Sequence, residues 1–149
     1  MMAPVPGNGL RVPMLASGDA AEQVAAALRG YGADIEVLGG PAGLAATRKL
    51  RRSVFYKGMA ASIVEALEAA RAAGLEDWLR PHIAEDLAKA DASTVQRIVT
   101  GTRRHAVRRS HEMAAAAEML TDLGVQPVMA DASRALHERL AAEQPPFSG

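Results

Sequence analysis

The pattern of apolar and polar positions changes character near residue 40. Before it, apolar residues come in short runs broken by glycine and proline: Met1–Val5, the stretch Pro6-Gly7-Asn8-Gly9, then Val12–Ala16. That spacing predicts two strands separated by a loop. Gly18-Asp19 closes the second run and offers an N-cap to a helix over Ala20–Arg29, with Val24 and Leu28 on one face. Gly30 and Gly32 stop this helix, and Ile35–Leu38 predicts another short strand. A strand–helix–strand fragment of about 38 residues cannot bury its own apolar surface, so it is expected to dock on something else.

After Gly39-Gly40-Pro41 the pattern is helical throughout. Between Gly43 and Ala73 there is no proline, and Gly58 is the single internal glycine. Leu50, Val54, Ala61, Val64 and Leu67 sustain an apolar stripe, predicting a helix ~45 Å long. Gly74 stands where a C′ residue ends it. Leu75–Ala90 predicts a second helix that Pro81 kinks or divides. Asp91 and Ser93 offer caps to a third, running from Ser93 to Leu123, weakened at Gly101 and closed by Gly124. Val125–Met129 is a short connector, Ala130–Ala142 a last helix, and Gln144–Gly149 a tail expected to be mobile. No internal repeat is present.

Composition reinforces the helical reading. Apolar residues are 49% of the 149, aromatics only 3%, and much of the apolar share is alanine. Alanine is the best helix former and takes little room, so helices rich in it approach closely. With 17 basic and 17 acidic residues the formal net charge is zero, which gives no overall field for nucleic acid or an anionic membrane. The absence of cysteine excludes disulfides, thiolate chemistry and Cys-based zinc sites. None of the four histidines pairs with another at i+3 or i+4, so no metal site is expected. No apolar run reaches the ~18 residues of a membrane span, and no basic segment leads a hydrophobic stretch at the start. A cytoplasmic protein is expected.

Three stretches are candidates for chemistry. Gly7-Asn8-Gly9 begins like a dinucleotide fingerprint, but lacks the third glycine and sits between Pro6 and Pro13, where no helix opens. It is either a connecting turn or a bent loop that holds a small ligand with its backbone N–H groups. The opening of the long helix is basic, with Arg48, Lys49, Arg51, Arg52 and Lys57 and no acid between Gly39 and Ala60. Cations there oppose the helix dipole. They either face an anion or lie over apolar neighbours on a solvated face. Lys49, Ser53 and Lys57 are four apart and share one face, an arrangement suited to lining a site. The third stretch holds Arg97, Arg103, Arg104, His105, Arg108, Arg109 and His111 without an acid. Lacking interleaved aromatics, it is better suited to salt bridges with a neighbouring helix or a second subunit than to nucleic acid.

Several of these runs resemble those of the β-hydroxyacid dehydrogenases, the group containing 3-hydroxyisobutyrate and 6-phosphogluconate dehydrogenases. Met2-Ala3-Pro4-Val5-Pro6-Gly7-Asn8 resembles the family's Ala-Pro-Val-Ser-Gly-Gly loop, which ends a strand of the nucleotide-binding domain and contacts substrate. Leu15-Ala16-Ser17-Gly18-Asp19 is similar to its Val-Gly-Gly-Asp before a helix. Gly40-Pro41-Ala42-Gly43 through Lys49 resembles the glycine-rich entry to its long interdomain helix, where a lysine nine residues after the first glycine is the general acid/base; by that count it is Lys49. Lys49–Gly58, Arg103–Arg109 and Glu112-Met113 are closer to one branch, the NAD-binding phosphogluconate-dehydrogenase-like proteins with their own C-terminal helical domain. The resemblance spans roughly residues 2 to 140.

It implies a mostly α fold: residues 1–39 as a short β-α-β remnant of a Rossmann domain, and 40–143 as an all-helical 6-phosphogluconate dehydrogenase C-terminal-like domain for substrate and dimerisation. Residues 144–149 would be a flexible tail. It further implies an NAD(P)-dependent oxidoreductase of small hydroxy acids. Lys49 would be catalytic, readied by burial and cationic neighbours, and Pro6, Gly7, Asn8, Ser53 and Lys57 would bind substrate. Three departures stand out. Ser53 replaces a family asparagine, Pro6 replaces a loop serine, and no GxGxxG loop occurs among the 48 residues before Lys49. The chain alone is therefore expected to bind neither NAD nor NADP and to be inactive. A shortened gene product, a start inside a strand at Met1-Met2, and one part of a split protein with a separate nucleotide-binding polypeptide are all compatible with this. A homodimer is implied, without nucleic acid or membrane partners. The alternative is a non-enzymatic helical oligomerisation module; a basic phosphate-binding helical domain is a third possibility.

Overall fold

Met14–Ser17 (β1) and Ile35–Leu38 (β2) pair in parallel in the computed structural model, which describes residues 7–143. Met14 faces Ile35 and Ser17 faces Leu38. Parallel strands require a crossover, and the helix Ala21–Arg29 (α1) provides it. Its buried residues are Ala21 and Ala25. Ala25, Ala33 and Ile35 form the centre of the local core, with Met14, Ala16, Leu28 and Val37 packed around them. The face of α1 is thus one position from the expected one: Leu28 packs inward, whereas Val24 is 50% exposed. Alanine on the sheet side lets the helix approach two short strands that have little area to offer. A second correction concerns Asp19. Ala20 occupies the cap position and no side chain caps α1; the Ala21 amide bonds to the Gly18 carbonyl at 3.0 Å. The run Met1–Val5 lies outside the described residues, and the following strand begins at Met14 because Gly9–Arg11 forms a 3₁₀ turn.

The long helix is present as Leu44–Ala72 (α2). After it come Glu76–Ala88 (α3), Thr94–Arg104 (α4), Ala106–Asp122 (α5) and Val128–Ala142 (α6). The chain divides into two compact units, Met1–Gly58 and Met59–Gly149, with the boundary inside α2. Along α2 the buried residues are Ala69 and Ala70. The stripe expected from Leu50, Val54 and Val64 is exposed, Val54 at 78%. The three-residue connector after α2 and the five-residue connector after α5 begin the same way. The amides of Gly74 and Leu75 bond back to Arg71 and Ala70, and those of Gly124 and Val125 to Thr121 and Leu120. Both are glycine-terminated Schellman ends, with Gly74 at φ 73° and Gly124 at φ 74°.

Within the Met59–Gly149 unit, α5 and α6 pack along one another. Ala106, Ala117, Leu120, Ala130 and Leu140 are buried there. The expected single helix from Ser93 to Leu123 is instead α4 and α5, broken at His105 (φ −113°, ψ 25°). Gly101 weakens the helix one turn earlier, and the break lets Ala106 and Ser110 turn into the core. The Arg109 guanidinium spans it, donating to Thr102 Oγ1 at 2.7 Å. At the start of α4, Asp91 is the effective cap: its Oδ1 accepts from the amides of Ser93 and Thr94, both at 3.0 Å. The Thr94 hydroxyl accepts in return from the Asp91 amide at 2.9 Å. The Ser93 and Thr94 hydroxyls also donate to Oδ1, at 2.7 and 3.0 Å, and these bonds, with the two amides, hold the Asp91 carboxyl below its usual range. Pro81 neither ends nor divides α3, which runs through it.

One long-range polar contact joins α2 to α6. The Glu65 carboxylate accepts from the Met129 amide at 2.6 Å and the Ala130 amide at 2.8 Å, in the first turn of α6. No side chain at the Pro127 cap position does this. A carboxylate there satisfies two of the four orphan donors and meets the positive end of the helix dipole. Glu65→Ala is expected to lower the unfolding free energy by roughly 2 kcal/mol, and Glu65→Gln by less, in urea titrations. An unchanged midpoint for both would remove this contact from the architecture.

At the turn between α2 and α3, Glu76 accepts from Arg71 Nε at 2.7 Å and from Arg80. The hydrogen bonds from Arg71 and Arg80 hold its carboxyl down to about 2. A carboxyl depressed in the folded state adds stability above its unfolded range and loses it as pH falls through the folded value. From about pH 5 down to about pH 2, Tm should therefore fall further in the wild type than in Glu76→Gln. Parallel curves would contradict the assignment.

Candidate functional site

In parallel sheets, ligands bind beyond the carboxyl ends of the strands. At that end of β1 the chain builds a crevice lined by Ser17–Ala21, Val24, Ala42, Gly43, Ala45 and Ala46. Ser17, the last residue of β1, makes it: its Oγ accepts from the Ala45 amide at 3.0 Å, in the first turn of α2. The Gly18 amide donates to the Gly40 carbonyl at 3.2 Å. Gly18 has φ 104°, and a Cβ on it would lie 3.2 Å from the Cα and Cβ of Ala42. Only glycine fits both demands. The strand end and the helix entry are thus stitched together by one hydroxyl and one close backbone approach. Ser17→Ala is expected to cost about 1 kcal/mol, the usual effect of losing a helix cap, in thermal or urea unfolding. An unaltered midpoint would show that Ser17 does not hold the entry of α2.

Lys49, Ser53 and Lys57 continue from this crevice. Ala45, Lys49, Ser53 and Lys57 stand four apart on α2, so the lysine row begins one turn beyond the residue that Ser17 holds. Lys49 and Lys57 are exposed and Ser53 half-buried, so the expected burial of Lys49 is not supplied by the described residues. The first turn of α2 contains no acid. Among the flanking cations, the Arg52 guanidinium lies 4.1 Å over the Tyr56 ring, and Tyr56 meets Phe55 edge-on at 4.9 Å. That cation–π contact accounts for one of the five basic residues without a ligand.

Gly7 and Asn8 lie elsewhere in the same unit, in a shallow depression with Gly9, Leu10, Arg11, Tyr31 and Gly32. Pro6 lies outside the described residues. The lining of this depression shares no residue with the β1 crevice and includes none of Lys49, Ser53 and Lys57. The Gly7-Asn8-Gly9 stretch also fails as a pyrophosphate cradle. It leads into the three-residue 3₁₀ turn and then extended backbone at Val12, so it presents no α-helix N-terminus.

The Met59–Gly149 unit contains an apolar cavity, about 380 Å³, between the second half of α2, the start of α3, the end of α5 and the start of α6. Ala70, Trp78, Met113, Met119, Leu123 and Met129 are among its lining, and its polar edge is Ser62, Glu65 and Ser133. The Glu65 carboxylate is committed to α6, so nothing here suits proton transfer. In the third basic stretch, Arg103 pairs with Glu143 at 3.8 Å across helices, and Arg108 with Glu112 within α5. The first is a bridge to a neighbouring helix of the kind expected; the second stays within its own helix. Among the described residues no group of three or more His, Asp or Glu is placed to hold a metal ion. No helix among them is long and apolar enough to cross a membrane.

Ser17 and Gly18 are the site residues that sequence reasoning missed as such. Both lie in the Leu15–Asp19 run that resembles the family's Val-Gly-Gly-Asp, but Gly18 was otherwise legible as the end of a strand before a helix cap, and a serine at that place carries no periodic signal. Its role depends on a partner 28 residues away.

Residues 70–140 match the family model of a domain of unknown function, DUF1932. An uncharacterized 28.5 kDa protein in the 7S RNA 5′ region of Methanothermus fervidus is 30% identical over 102 residues, covering 68% of this chain and 41% of that protein. The solved structure of the conserved protein MTH1747 of unknown function, described as structurally similar to 3-hydroxyacid dehydrogenases, is 31% identical. The likeness covers 95% of this chain and 54% of that one, with a TM-score of 0.50. A conserved hypothetical protein from Sinorhizobium meliloti 1021, also 31% identical, covers 99% of this chain and 50% of that one at a TM-score of 0.45. The chain therefore spans between 41% and 54% of the length of these relatives. DUF1932 is the C-terminal domain of 3-hydroxyacid dehydrogenase-like proteins, and residues 70–140 of this chain match it.

Proposed function

We propose that the chain is the substrate-facing and self-associating part of an NAD(P)-dependent oxidoreductase of small hydroxy acids, with Lys49 as its proton donor and acceptor. The observation that carries this reading is the row Ala45–Lys49–Ser53–Lys57, which starts at the crevice beyond β1 where Ser17 pins α2. In such enzymes the hydride is the nicotinamide's chemistry. The residues described here do not fit that cofactor's pyrophosphate, so the nucleotide is held by residues outside this set.

What the chain contributes is position and charge. The Lys49 ammonium gives its proton to the reacting oxygen or stabilises negative charge developing there. Ser53, one turn on, donates a hydrogen bond, and Lys57 meets the carboxylate of the acid. The acid-free first turn of α2 supports an anionic substrate, because the positive end of the helix has no side-chain counter-charge there.

The test joins the chain to the dinucleotide-binding half of a β-hydroxyacid dehydrogenase and assays NAD(P)-linked turnover of small hydroxy acids. Lys49→Ala is expected to lower kcat by ~10²–10⁴-fold with nucleotide affinity unchanged. Lys49→Arg is expected not to rescue it, since a guanidinium hardly releases its proton. Full activity in Lys49→Ala with loss in Lys57→Ala would move the proton donor two turns along the helix. Activity in both would favour the non-enzymatic oligomerisation module, for which the exposure of Lys49 is the supporting observation.

A further inference from the structure

Alanine faces ordinarily let helices close on one another, yet one set of them in the Met59–Gly149 unit does not. Ala66, Ala69, Ala70 and Ala73 of α2 and its end line the apolar cavity from one side, and Ala116 of α5 and Ala130 of α6 from others. Among the described residues α5 and α6 pack along one another, while α2 is packed along neither. What joins α2 to α6 is the Glu65 carboxylate, which accepts from the Met129 and Ala130 amides. That bridge sets the spacing of the two helices, and the small side chains beside it cannot fill what it leaves open. The space is about 380 Å³. Folded interiors leave few voids larger than a water molecule, and an apolar cavity of ~150 Å³ stays dry and takes up benzene. A gap of this size and lining has the dimensions of a ligand site.

The lining selects by charge and by shape. Glu65 is its sole charged residue, and both carboxylate oxygens are turned to α6. No cation stands in the lining to receive an acid, so a carboxylate or phosphate entering it would meet like charge in apolar surroundings. Met113, Met119 and Met129 contribute three thioethers, which adapt to irregular shapes and make favourable contacts with aromatic rings. Among the lining residues Leu75 is 52% exposed, Trp78 61% and Met119 49%, and together they mark the mouth. Trp78 is steadied there by its stack on His82, with 5.5 Å between ring centroids.

We infer that this cavity binds a small uncharged aromatic molecule, which enters between Trp78 and Met119 and rests on the alanine and methionine walls. The site is independent of the lysine row. Its lining includes no residue of the Met1–Gly58 unit, and an uncharged apolar ligand is the opposite of the anionic acid proposed there. Loss of either site leaves the other standing.

Two dyes that share one ring system test it on the full chain. N-phenyl-1-naphthylamine is uncharged, and 1-anilinonaphthalene-8-sulfonate is the same skeleton bearing a sulfonate. Both accept excitation energy from tryptophan, and Trp78 is the single tryptophan of the chain. The uncharged dye is expected to quench Trp78 emission saturably, at one dye per chain. The sulfonate should bind roughly tenfold more weakly, because its charge meets that of Glu65. Glu65→Gln should narrow this gap by strengthening the binding of the sulfonate. Ala66→Leu and Ala116→Leu fill the cavity from different helices. Each should lower affinity for the uncharged dye about tenfold while circular dichroism shows the helices retained.

Equal affinity for the two dyes, or a gap that Glu65→Gln leaves as it was, would overturn the ligand class and with it the proposal. Leucine variants that keep their helices and bind as the wild type does would place the dye elsewhere and overturn the site. Dye binding that weakens as chain concentration rises, while sedimentation shows dimers forming, would mean that a second copy fills the mouth, and the proposal would be lost. Should both leucine variants lose their helices, the comparison of the two dyes on the wild type decides.

Discussion

The arrangement of the helical unit depends on a carboxylate meeting the blunt end of a helix. A helix that starts after proline has no side chain to satisfy its first amides, and Pro127 leaves α6 in that state. Glu65 resolves it from another helix, 64 residues earlier in sequence. Because two N–H donors converge on its two oxygens, the contact fixes the axial position of α6 against α2 as well as satisfying the donors. The apolar contacts around it are made largely by alanine and methionine, which fill space but specify register weakly. A charged, two-pronged hydrogen bond supplies the register that such residues do not.

A related economy governs the smaller unit. Two four-residue strands and a nine-residue helix offer too little area for large side chains to interlock, so alanine at 25 and 33 lets backbones approach and Ile35 provides the bulk. Ser17 then does at the start of α2 what Glu65 does at the start of α6: a side chain from a distant segment caps a helix that has no cap of its own. Three-dimensional capping of this kind places the β1 end at the entry of the long helix. That is where the proposed lysine row begins.

Which parts were legible in the sequence follows from the range of the forces involved. The strand Ile35–Leu38, the bounds of α2 and its glycine terminus at Gly74 came from local signals: runs, periodicity and a left-handed C′ position. The break at His105 did not, because residues 102–108 carry no local stop signal, and burial of Ala106 decides the matter. Asp19 failed as a cap for a similar reason: the chain enters α1 through Gly18, whose carbonyl already serves the Ala21 amide. Val24 failed as a core residue because α1 turns Ala21, Ala25 and Leu28 toward the sheet and leaves Val24 exposed. At the site, the Lys49–Ser53–Lys57 row was visible from spacing alone, while Ser17 was invisible, its meaning residing in a partner far along the chain. Family likeness supplied what periodicity cannot, namely which of several basic residues to single out.

The basic opening of α2 is where these lines converge. Cations at a helix N-terminus raise its energy, and most sequences place acids there. Here one serine hydroxyl, from outside the helix, is the side-chain group bonded to the Ala45 amide, and it brings no negative charge. Arg52 is drawn off onto Tyr56, so the field along the Ala45 row falls to Lys49 and Lys57. A neutral cap retains the helix while leaving that field uncompensated, whereas an acid in the same place would compete with any anion arriving at the row. The local cost in stability and the capacity to receive a carboxylate are therefore two consequences of the same choice of residues. A non-enzymatic module gains nothing from that choice, and this is the physical ground on which the oxidoreductase reading is preferred.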